Sequence, residues 1–283
     1  MESPMQNELM IALHMAREAG GILLEGHRLG VAPEVVEHKG AIDLVTPYDR
    51  RSEALVRARL AEHFPDDTVL AEEGGQTEGQ GPEGAARRVW CVDPLDGTTN
   101  FAHGLPFFCV SIALLIDGEA AVGVVHAPAL DWTFSCVAGE APRFNGSPLP
   151  RLAARDDLGS SLLMFGCGYD RTTRPERYLA MIATFMTRTQ GLRRTGSAAL
   201  DCCICSRGQV DGYMEVNLHP WDLAAGVLIA RGAGAVATDV DGGPFDPFTG
   251  RLLLGRPGVH GRMLEVIREN DVFLHEKDGS YGR

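Results

Sequence analysis

The sequence predicts an α/β or α+β protein with two β-sheets, one of them largely antiparallel, and with helices between and outside the sheets. Three observations support this fold class. Residues 5–28 and 49–64 have helical patterns, residues 106–139 contain three β-rich runs, and residues 161–239 alternate between strand and helix patterns. The 283 residues suffice for a full core and for about two domains or one large layered domain.

Two helices are predicted in the N-terminal part of the chain. Apolar positions recur at helical spacing along residues 5–28: Leu9, Ala12, Ala16 and Ala19. A second helix is predicted to begin near Asp49, because an acidic residue of the first turn precedes a further set of apolar positions, Leu55, Val56, Leu60 and Phe64.

Two short apolar runs follow, and both lead into carboxylates. Residues 68–71 predict a strand that ends before Glu72 and Glu73. Residues 89–92 predict a buried strand, which Pro94 is expected to force out of regular pairing. We therefore expect the carboxylates of both segments where strands open into loops.

The rest of the chain predicts a meander and then an alternating region. The three β-rich runs of residues 106–139 are separated by Asp117-Gly118 and Ala127-Pro128, which is typical of an antiparallel meander. Further on, strands are predicted at 161–165, 212–216 and 235–239, and helices at 176–186, 197–205 and 222–230. We expect an N-terminal region, 1–150, with metal-binding loops and the antiparallel sheet. An α/β region, 151–283, would complete the active site within a single compact unit.

Composition limits the possible partners. Acidic residues outnumber basic ones, 38 to 26, for a formal charge of -12, so direct nucleic-acid binding is not expected and an anionic substrate would need a metal. Residues 1–21 contain three glutamates and no long apolar core, which indicates neither a signal peptide nor a membrane span. We expect a cytoplasmic protein without membrane contact.

The seven cysteines do not predict a metal site. Their number is odd and they lack the paired spacing of zinc ligands. Cys202, Cys203 and Cys205 fall in an apolar, helical segment that would point their thiols in different directions, so we interpret them as core residues.

Four acidic sites carry the functional signal. Glu72, Asp93 and Asp96 follow apolar strands, and Asp222 opens a helix. Like charges as close as Asp93 and Asp96 would repel by roughly 4 kcal/mol at about 4 Å and an effective dielectric of 20, unless a cation lies between them. Taken singly, each has a purely structural interpretation: a solvated turn residue for Glu72, a plain turn for Asp-Pro-x-Asp-Gly, and a helix cap for Asp222.

Three motifs together make a family resemblance. They are Leu-Ala-Glu-Glu at 70–73, Trp-Cys-Val-Asp-Pro-Leu-Asp-Gly-Thr-Thr-Asn-Phe at 90–101 and Trp-Asp-Leu-Ala-Ala-Gly at 221–226. On these motifs the sequence resembles the inositol monophosphatase family of magnesium-dependent, lithium-sensitive sugar phosphatases over nearly the whole chain. The resemblance implies the αβαβα sandwich, phosphoric monoester hydrolysis and a homodimer.

The resemblance also implies a set of magnesium ligands, two or three ions per site. Glu72, Asp93 and the main-chain carbonyl of Leu95 look like ligands of one ion, and Asp93, Asp96 and Asp222 like ligands of a second. Hard oxygen ligands of this kind suit magnesium, and a pair of ions can hold the attacking and leaving oxygens of a phosphoryl transfer.

Catalytic and substrate-binding roles follow from the same resemblance. Thr98, with Asp49 as its hydrogen-bonded partner, resembles the group that activates the attacking water, and Glu72 contributes to catalysis as well as to the metal. Phosphate and polyol contacts are implied for Gly97, Thr98, Ser197, Ala198, Glu215 and Asp222. Glu215 has the alternative of a solvated residue at a strand end.

Three basic residues have less defined roles. Lys39 resembles a basic residue near the metal loop that begins at Asp43, although its spacing differs from that of the animal enzymes. Arg193 and Arg194 could approach the substrate or merely flank a helix start, and the sequence favours the structural interpretation.

Members of the family differ in the phosphate ester that they cleave, and several substrates fit the motifs of this sequence. Asp-Gly-Thr-Thr-Asn is more similar to the inositol phosphatase branch than to the nucleotide phosphatase branch, in which a lysine commonly follows Asp-Gly-Thr. We therefore expect a small phosphorylated polyol or sugar, with inositol 1-phosphate first and fructose 1,6-bisphosphate or histidinol phosphate as alternatives. A non-catalytic function is a further alternative, because some bacterial relatives are partners of the transcription or ribosome machinery.

Overall fold

The computed structural model describes residues 5–32, 35–38, 44–81 and 86–270. Its α-helices are α1 (Gln6–Leu29), α2 (Pro47–His63), α3 (Thr98–Ala102), α4 (Pro175–Met186), α5 (Ala198–Ser206), α6 (Pro220–Gly232) and α7 (Val259–Glu269). The strands up to the middle of the chain are β1 (Glu37–His38), β2 (Leu44–Val45), β3 (Thr68–Ala71), β4 (Gly75–Thr77), β5 (Arg88–Asp96), β6 (Cys109–Ile116), β7 (Glu119–Ala127), β8 (Trp132–Val137), β9 (Arg143–Phe144) and β10 (Ser147–Pro148). The remaining strands are β11 (Leu162–Phe165), β12 (Gly191–Arg193), β13 (Gly212–Val216), β14 (Val236–Thr238) and β15 (Arg251–Gly255).

The larger sheet has eight strands in the order β10-β9-β8-β7-β6-β5-β3-β4. Of its pairings, β3 with β5 is parallel and the others are antiparallel, which confirms the prediction of a largely antiparallel sheet. The meander predicted over residues 106–139 forms β6, β7 and β8. Asp117 and Gly118 connect the first two of these strands with φ of 50° and 89°, as a two-residue hairpin turn requires.

The second sheet has five strands in the order β12-β11-β13-β15-β14 and is mixed. Strand β11 pairs in parallel with β12 and β13, whereas β15 pairs antiparallel with β13 and β14. Strands β1 and β2 form a separate two-stranded antiparallel sheet.

Helices and sheets alternate in five layers, which confirms the predicted fold. Four buried apolar clusters join them. The first joins α1 and α2 to one face of the eight-stranded sheet, and the second joins the other face to α5 and α6. The third joins α5 and α6 to the five-stranded sheet, and the fourth covers the outer face of that sheet with α4 and α7. Because α5 and α6 lie between two sheets, they are apolar almost all round.

Three cysteines of α5 fit this central position. Cys202, Cys203 and Cys205 are free and at most 2% exposed, which confirms their interpretation as core residues.

Strand β5 differs from its prediction. It does not end at residue 92 but continues through Pro94 to Asp96, and Asp96 pairs with Cys109 of β6. The register shifts between Asp93 and Asp96, so the ladder resumes past the proline, which has no N–H to donate. Both carboxylates therefore lie on a fixed strand next to an irregularity, and not in an open loop. The sequence prediction also missed β15 and α7.

No helix in the described part of the chain is long and apolar enough to cross a membrane.

Helix α6 can pack closely on α5 because one of its residues lacks a side chain. A Cβ at Gly226 would lie 2.7 Å from Cβ of Cys202 and 3.0 Å from the Ala199 carbonyl oxygen. Gly21, in α1, has open space around the same position.

This contrast generates a stability prediction. Gly21→Ala should raise the free energy of unfolding by up to about 1 kcal/mol through helix propensity. Gly226→Ala should lower it by about 1 to 3 kcal/mol, because overpacking outweighs the same propensity gain. Urea unfolding of both variants measures the difference, and equal shifts in the two would contradict close packing of α5 and α6.

Candidate active site

Asp93 is the most enclosed carboxylate of the predicted cluster. It is 2% exposed, and its Oδ1 accepts the N–H of Leu95 at 2.9 Å. Burial raises its pKa well above the usual range, and repulsion from Glu72, Asp96 and Asp222 raises the pKa further. The four predicted acidic residues therefore lie close enough to influence one another, although they come from distant segments of the chain.

Asp96 faces the first turn of α5. Its carboxylate accepts hydrogen bonds from the Ser197 hydroxyl at 2.7 Å, from the Ala199 N–H at 2.8 Å and from the Ala198 N–H at 3.2 Å. Burial raises the pKa of Asp96, and these donors oppose the rise. Ser197, predicted as a substrate contact, is 1% exposed, and its hydroxyl is used to hold Asp96.

Asp222 both caps a helix and belongs to the cluster. It is the third residue of α6, and its carboxylate accepts the His219 N–H at 2.7 Å in a capping box. Burial raises its pKa, followed by repulsion from Asp96, and Glu72 and Glu215 add to the rise. Asp222 is therefore a helix-capping residue, as one interpretation of the sequence held, and it also belongs to the carboxylate cluster.

The donor chemistry of the cluster fits a divalent cation. Among the described residues, no three Asp, Glu, His or Cys side chains converge tightly enough to form a ready coordination sphere. Asp93, Asp96 and Asp222 instead face N–H or O–H donors of their own, as expected for carboxylates that repel one another. Buried, mutually repelling oxygen donors are the kind that magnesium or calcium prefers, and a cation would remove the repulsion.

Asp49 and Thr98 meet beside the cluster, as predicted. In the capping box of α2, Asp49 Oδ2 accepts the N–H of Thr46 at 2.8 Å and its hydroxyl at 2.6 Å. The other oxygen of Asp49, Oδ1, accepts a hydrogen bond from the Thr98 hydroxyl at 3.2 Å. The same hydroxyl lies 3.0 Å from the Leu95 carbonyl oxygen. Burial raises the pKa of Asp49 to about 6 against these bonds. Asp49 therefore remains mostly an ionised acceptor above pH about 7.

A cavity of about 360 Å³ opens next to these groups. The predicted site residues in its wall are Asp96, Gly97, Thr98, Ala198, Glu215 and Asp222. Gly97 has φ of 95°, and a Cβ there would lie 2.8 Å from the Phe107 carbonyl oxygen, so this turn requires glycine.

Glu215 is buried in the cavity wall, so its interpretation as a solvated strand-end residue is wrong. It is 8% exposed and accepts the hydroxyl of Tyr213. Its approach needs Gly166, because a Cβ at that position would lie 1.7 Å from Glu215 Oε2. Burial raises its pKa to about 7, which the Tyr213 hydrogen bond and the charge of Arg194 oppose.

The structure separates the two arginines that the sequence treated alike. Arg194 lines the cavity, whereas the Arg193 guanidinium donates to the Leu192 carbonyl oxygen next to it. Asn100 was not predicted as a site residue, but it lines the cavity and donates to the carbonyl oxygens of Phe107 and Thr195. Lys39 and Asp43 lie outside the described residues.

Arg171 and Asp201 are two further cavity residues that sequence analysis missed. Asp201 is buried and accepts the Thr195 hydroxyl. Neither residue belongs to a recognisable motif, and the polar residues around Arg171 do not distinguish it from an ordinary surface arginine.

Buried carboxylates beside a polar cavity, in a layered fold, fit the class of enzymes that act on small polar substrates with the help of a cation. Comparison with known proteins gives the family. The model of the inositol monophosphatase family matches residues 5–271, and the chain belongs to that family. It is a phosphomonoesterase with a small phosphorylated substrate, in a family that is generally metal-dependent.

Three relatives illustrate the match. Nus factor SuhB of Escherichia coli K12 is 36% identical over 263 residues, with 92% of this chain and 96% of that protein covered. Inositol-1-monophosphatase of Synechocystis is 37% identical over 265 residues, covering 92% and 90%. The solved inositol monophosphatase of Anabaena superposes with a TM-score of 0.83 at 37% identity, covering 94% and 97%.

The crowding around Asp93 generates a prediction about stability. A carboxylate whose pKa is raised by folding is protonated in both states at low pH, and it destabilises the folded state increasingly as pH rises. In chelator, Asp93→Asn should therefore raise the free energy of unfolding at about pH 8 by about 1 to 3 kcal/mol, and by less at about pH 5. The asparagine keeps an acceptor for the Leu95 N–H.

Urea unfolding at the two pH values measures this effect. Glu269→Gln, at the exposed end of α7, is the control for a simple change of net charge. An Asp93→Asn protein no more stable than the wild type at about pH 8 would contradict the repulsion.

Proposed function

We propose that the protein is a magnesium-dependent phosphomonoesterase that hydrolyses inositol 1-phosphate. The observation that carries the proposal is the placement of the carboxylates. Glu72 donates its N–H to the carbonyl oxygen of Val92, next to the buried Asp93, and Asp96 and Asp222 line the same polar cavity. The name of the Synechocystis relative supports the choice of substrate.

The carboxylates would hold two or three magnesium ions. Glu72, Asp93 and the Leu95 carbonyl oxygen would bind one, and Asp93 would share a second with Asp96 and Asp222, as the family resemblance implies. The bound cations would supply Lewis-acid stabilisation of the phosphate and lower the pKa of the attacking water. The N–H groups that hold Asp93 and Asp96 would fix the orientation of both carboxylates.

Thr98 and Asp49 would position the water. The two hydrogen bonds from Thr46 fix the Asp49 carboxylate, and its free oxygen accepts the Thr98 hydroxyl. Thr98 would then present its oxygen lone pairs to the water and orient it toward phosphorus. Glu72 would assist as a further acceptor.

The same cavity wall would bind the rest of the substrate. Backbone N–H groups of Gly97 and Thr98 would donate to the phosphate oxygens, since the left-handed turn at Gly97 leaves them at the cavity wall. Glu215 would accept hydrogen bonds from polyol hydroxyls near Ala198. After cleavage, the alcohol oxygen of the leaving group takes up a proton.

A second candidate function rests on the name of the Escherichia coli relative, a Nus factor. In that role the chain would bind a partner of the transcription machinery without catalysis.

We also propose a homodimer, because Leu179 and Met186 on the outer helix α4 are 63% and 60% exposed. Light scattering that shows only a monomer would overturn the dimer.

The first test is phosphate release from a panel of esters with magnesium and with chelator. We expect inositol 1-phosphate to be cleaved in magnesium only, and Asp93→Asn to lose nearly all turnover because both ions lose a shared ligand. No cleavage of any ester, or Asp93→Asn activity within about tenfold of the wild type, would contradict the mechanism.

A second prediction separates water positioning from metal binding. Thr98→Ala and Asp49→Asn should both lower kcat by roughly 10² to 10⁴ with little change in KM or in magnesium activation. Thr249→Ala is a matched control, because Thr249 Oγ1 donates to the carbonyl oxygen three residues earlier, as Thr98 can, but on an exposed turn. If extra magnesium restores the Thr98→Ala rate, Thr98 belongs to the metal shell and the proposed role is wrong.

Lithium sensitivity follows from the same assignment. Lithium at millimolar concentrations should inhibit by competing for the site formed by Asp93, Asp96 and Asp222. Activity that is the same in lithium as in equal sodium chloride would count against this competition.

A further inference from the structure

The first turns of helix α2 carry polar side chains that are buried toward the active site. Asp49 and Ser52 are 0% exposed, and Glu53 is 3% exposed. Residues three and four positions apart share one face of a helix, so these three side chains lie on the same side. Asp49 accepts the Thr98 hydroxyl, and the Ser52 hydroxyl donates to the Pro94 carbonyl oxygen at 2.9 Å. Glu53 contacts a different part of the site.

Glu53 holds the turn of residues 72–74, which connects β3 to β4. Its Oε2 accepts the Glu73 N–H at 2.7 Å, and its Oε1 accepts the Gly74 N–H at 2.7 Å. Arg57 Nε donates to the same Oε1, also at 2.7 Å. Hydrogen bonds to an ionised carboxylate are stronger than those between neutral groups, so two consecutive N–H groups of the turn are fixed to α2.

Arg57 extends the contact from the turn into β4. Its guanidinium donates to the Gly75 carbonyl oxygen and, at 3.0 Å, to the Thr77 hydroxyl. The contact needs a glycine at position 74, because a Cβ at Gly74 would lie 2.6 Å from Glu53 Oε1 and 2.8 Å from Arg57 Nη2. The Glu53–Arg57 ion pair therefore joins α2 to residues 73–77.

Glu72 is the first residue of the turn that Glu53 holds. Its own N–H donates to the Val92 carbonyl oxygen at 3.2 Å, which fixes the N-terminal side of Glu72 to β5, next to Asp93. The bonds from the two residues after Glu72 to Glu53 fix its C-terminal side. The backbone of Glu72 is thus held on both sides, and its carboxylate extends from a defined position beside the cluster.

We propose that Glu53 is a positioning residue for the cation site, because it fixes the backbone from which the Glu72 carboxylate reaches a bound divalent cation. This inference rests on the proposed function, in which Glu72 is a metal ligand. Magnesium requires near-octahedral geometry, so a displaced ligand weakens its binding. Groups that orient a metal ligand contribute about 10- to 100-fold to metal affinity.

The test is the magnesium dissociation constant of the chelator-treated protein, measured by isothermal titration calorimetry. Glu53→Gln replaces one acceptor oxygen by an NH₂ group, which cannot accept an N–H of the turn, and should raise the dissociation constant by about 10- to 100-fold. Gly74→Ala keeps every charge but displaces the Glu53 carboxylate, so it should raise the dissociation constant as well. In both variants, phosphate release lost at low magnesium should return when magnesium is raised.

Glu18→Gln is the matched control, because Glu18 also pairs with an arginine of α2, Arg59, but this pair joins α2 to α1. It should leave the magnesium dissociation constant unchanged. If Glu53 only stabilises the fold, Glu53→Gln will lower the free energy of unfolding like Glu18→Gln. An unchanged dissociation constant in both Glu53→Gln and Gly74→Ala overturns the positioning role. A wild type that binds no magnesium would instead contradict the proposed function, and the positioning role with it.

Discussion

Repulsion among buried carboxylates is the constraint on which the site depends. Asp93, Asp96 and Asp222 are held with little exposure, and burial raises the pKa of each. Repulsion from neighbouring carboxylates raises the pKa of Asp93 and Asp222 further. Such crowding is unfavourable unless each charge has donors or a cation. The backbone irregularity after Asp93, the first turn of α5 and the capping box of α6 supply the donors. A cation would supply the rest.

The layered fold explains how distant residues reach this position. Strand β5 carries two of the carboxylates, and α5 and α6 begin beside them because both helices are packed between the two sheets. Close approach depends on small residues, with Gly226 between the helices and Gly166 next to Glu215. The core therefore sets the spacing of the site, and side chains such as Ser197 and Thr46 then fix the direction of single carboxylates.

Many of the helices and strands could be predicted from the sequence, because local patterns of residues determine them. Helical periodicity predicted α1, and the Asp-Gly turn predicted the hairpin of β6 and β7. The strand end at Pro94 was wrong because pairing with β6, a tertiary interaction, continues past the proline. Arg171 and Asp201 were missed because only folding brings them to the cavity. The hydrogen bond from the Ser197 hydroxyl to Asp96 could not be predicted either, because the direction of a hydroxyl depends on the packing around it.

The central claim is that the carboxylate cluster is completed by a divalent cation. The most direct measurement is the free energy of unfolding of the chelator-treated protein at about pH 8, titrated with magnesium chloride at constant ionic strength. Binding to the folded state predicts a free energy of unfolding that rises by about 1.4 kcal/mol per tenfold increase in magnesium above the dissociation constant for each site. It also predicts a much smaller rise in Asp93→Asn. A free energy of unfolding that does not respond to magnesium, or responds equally to sodium, would contradict the claim.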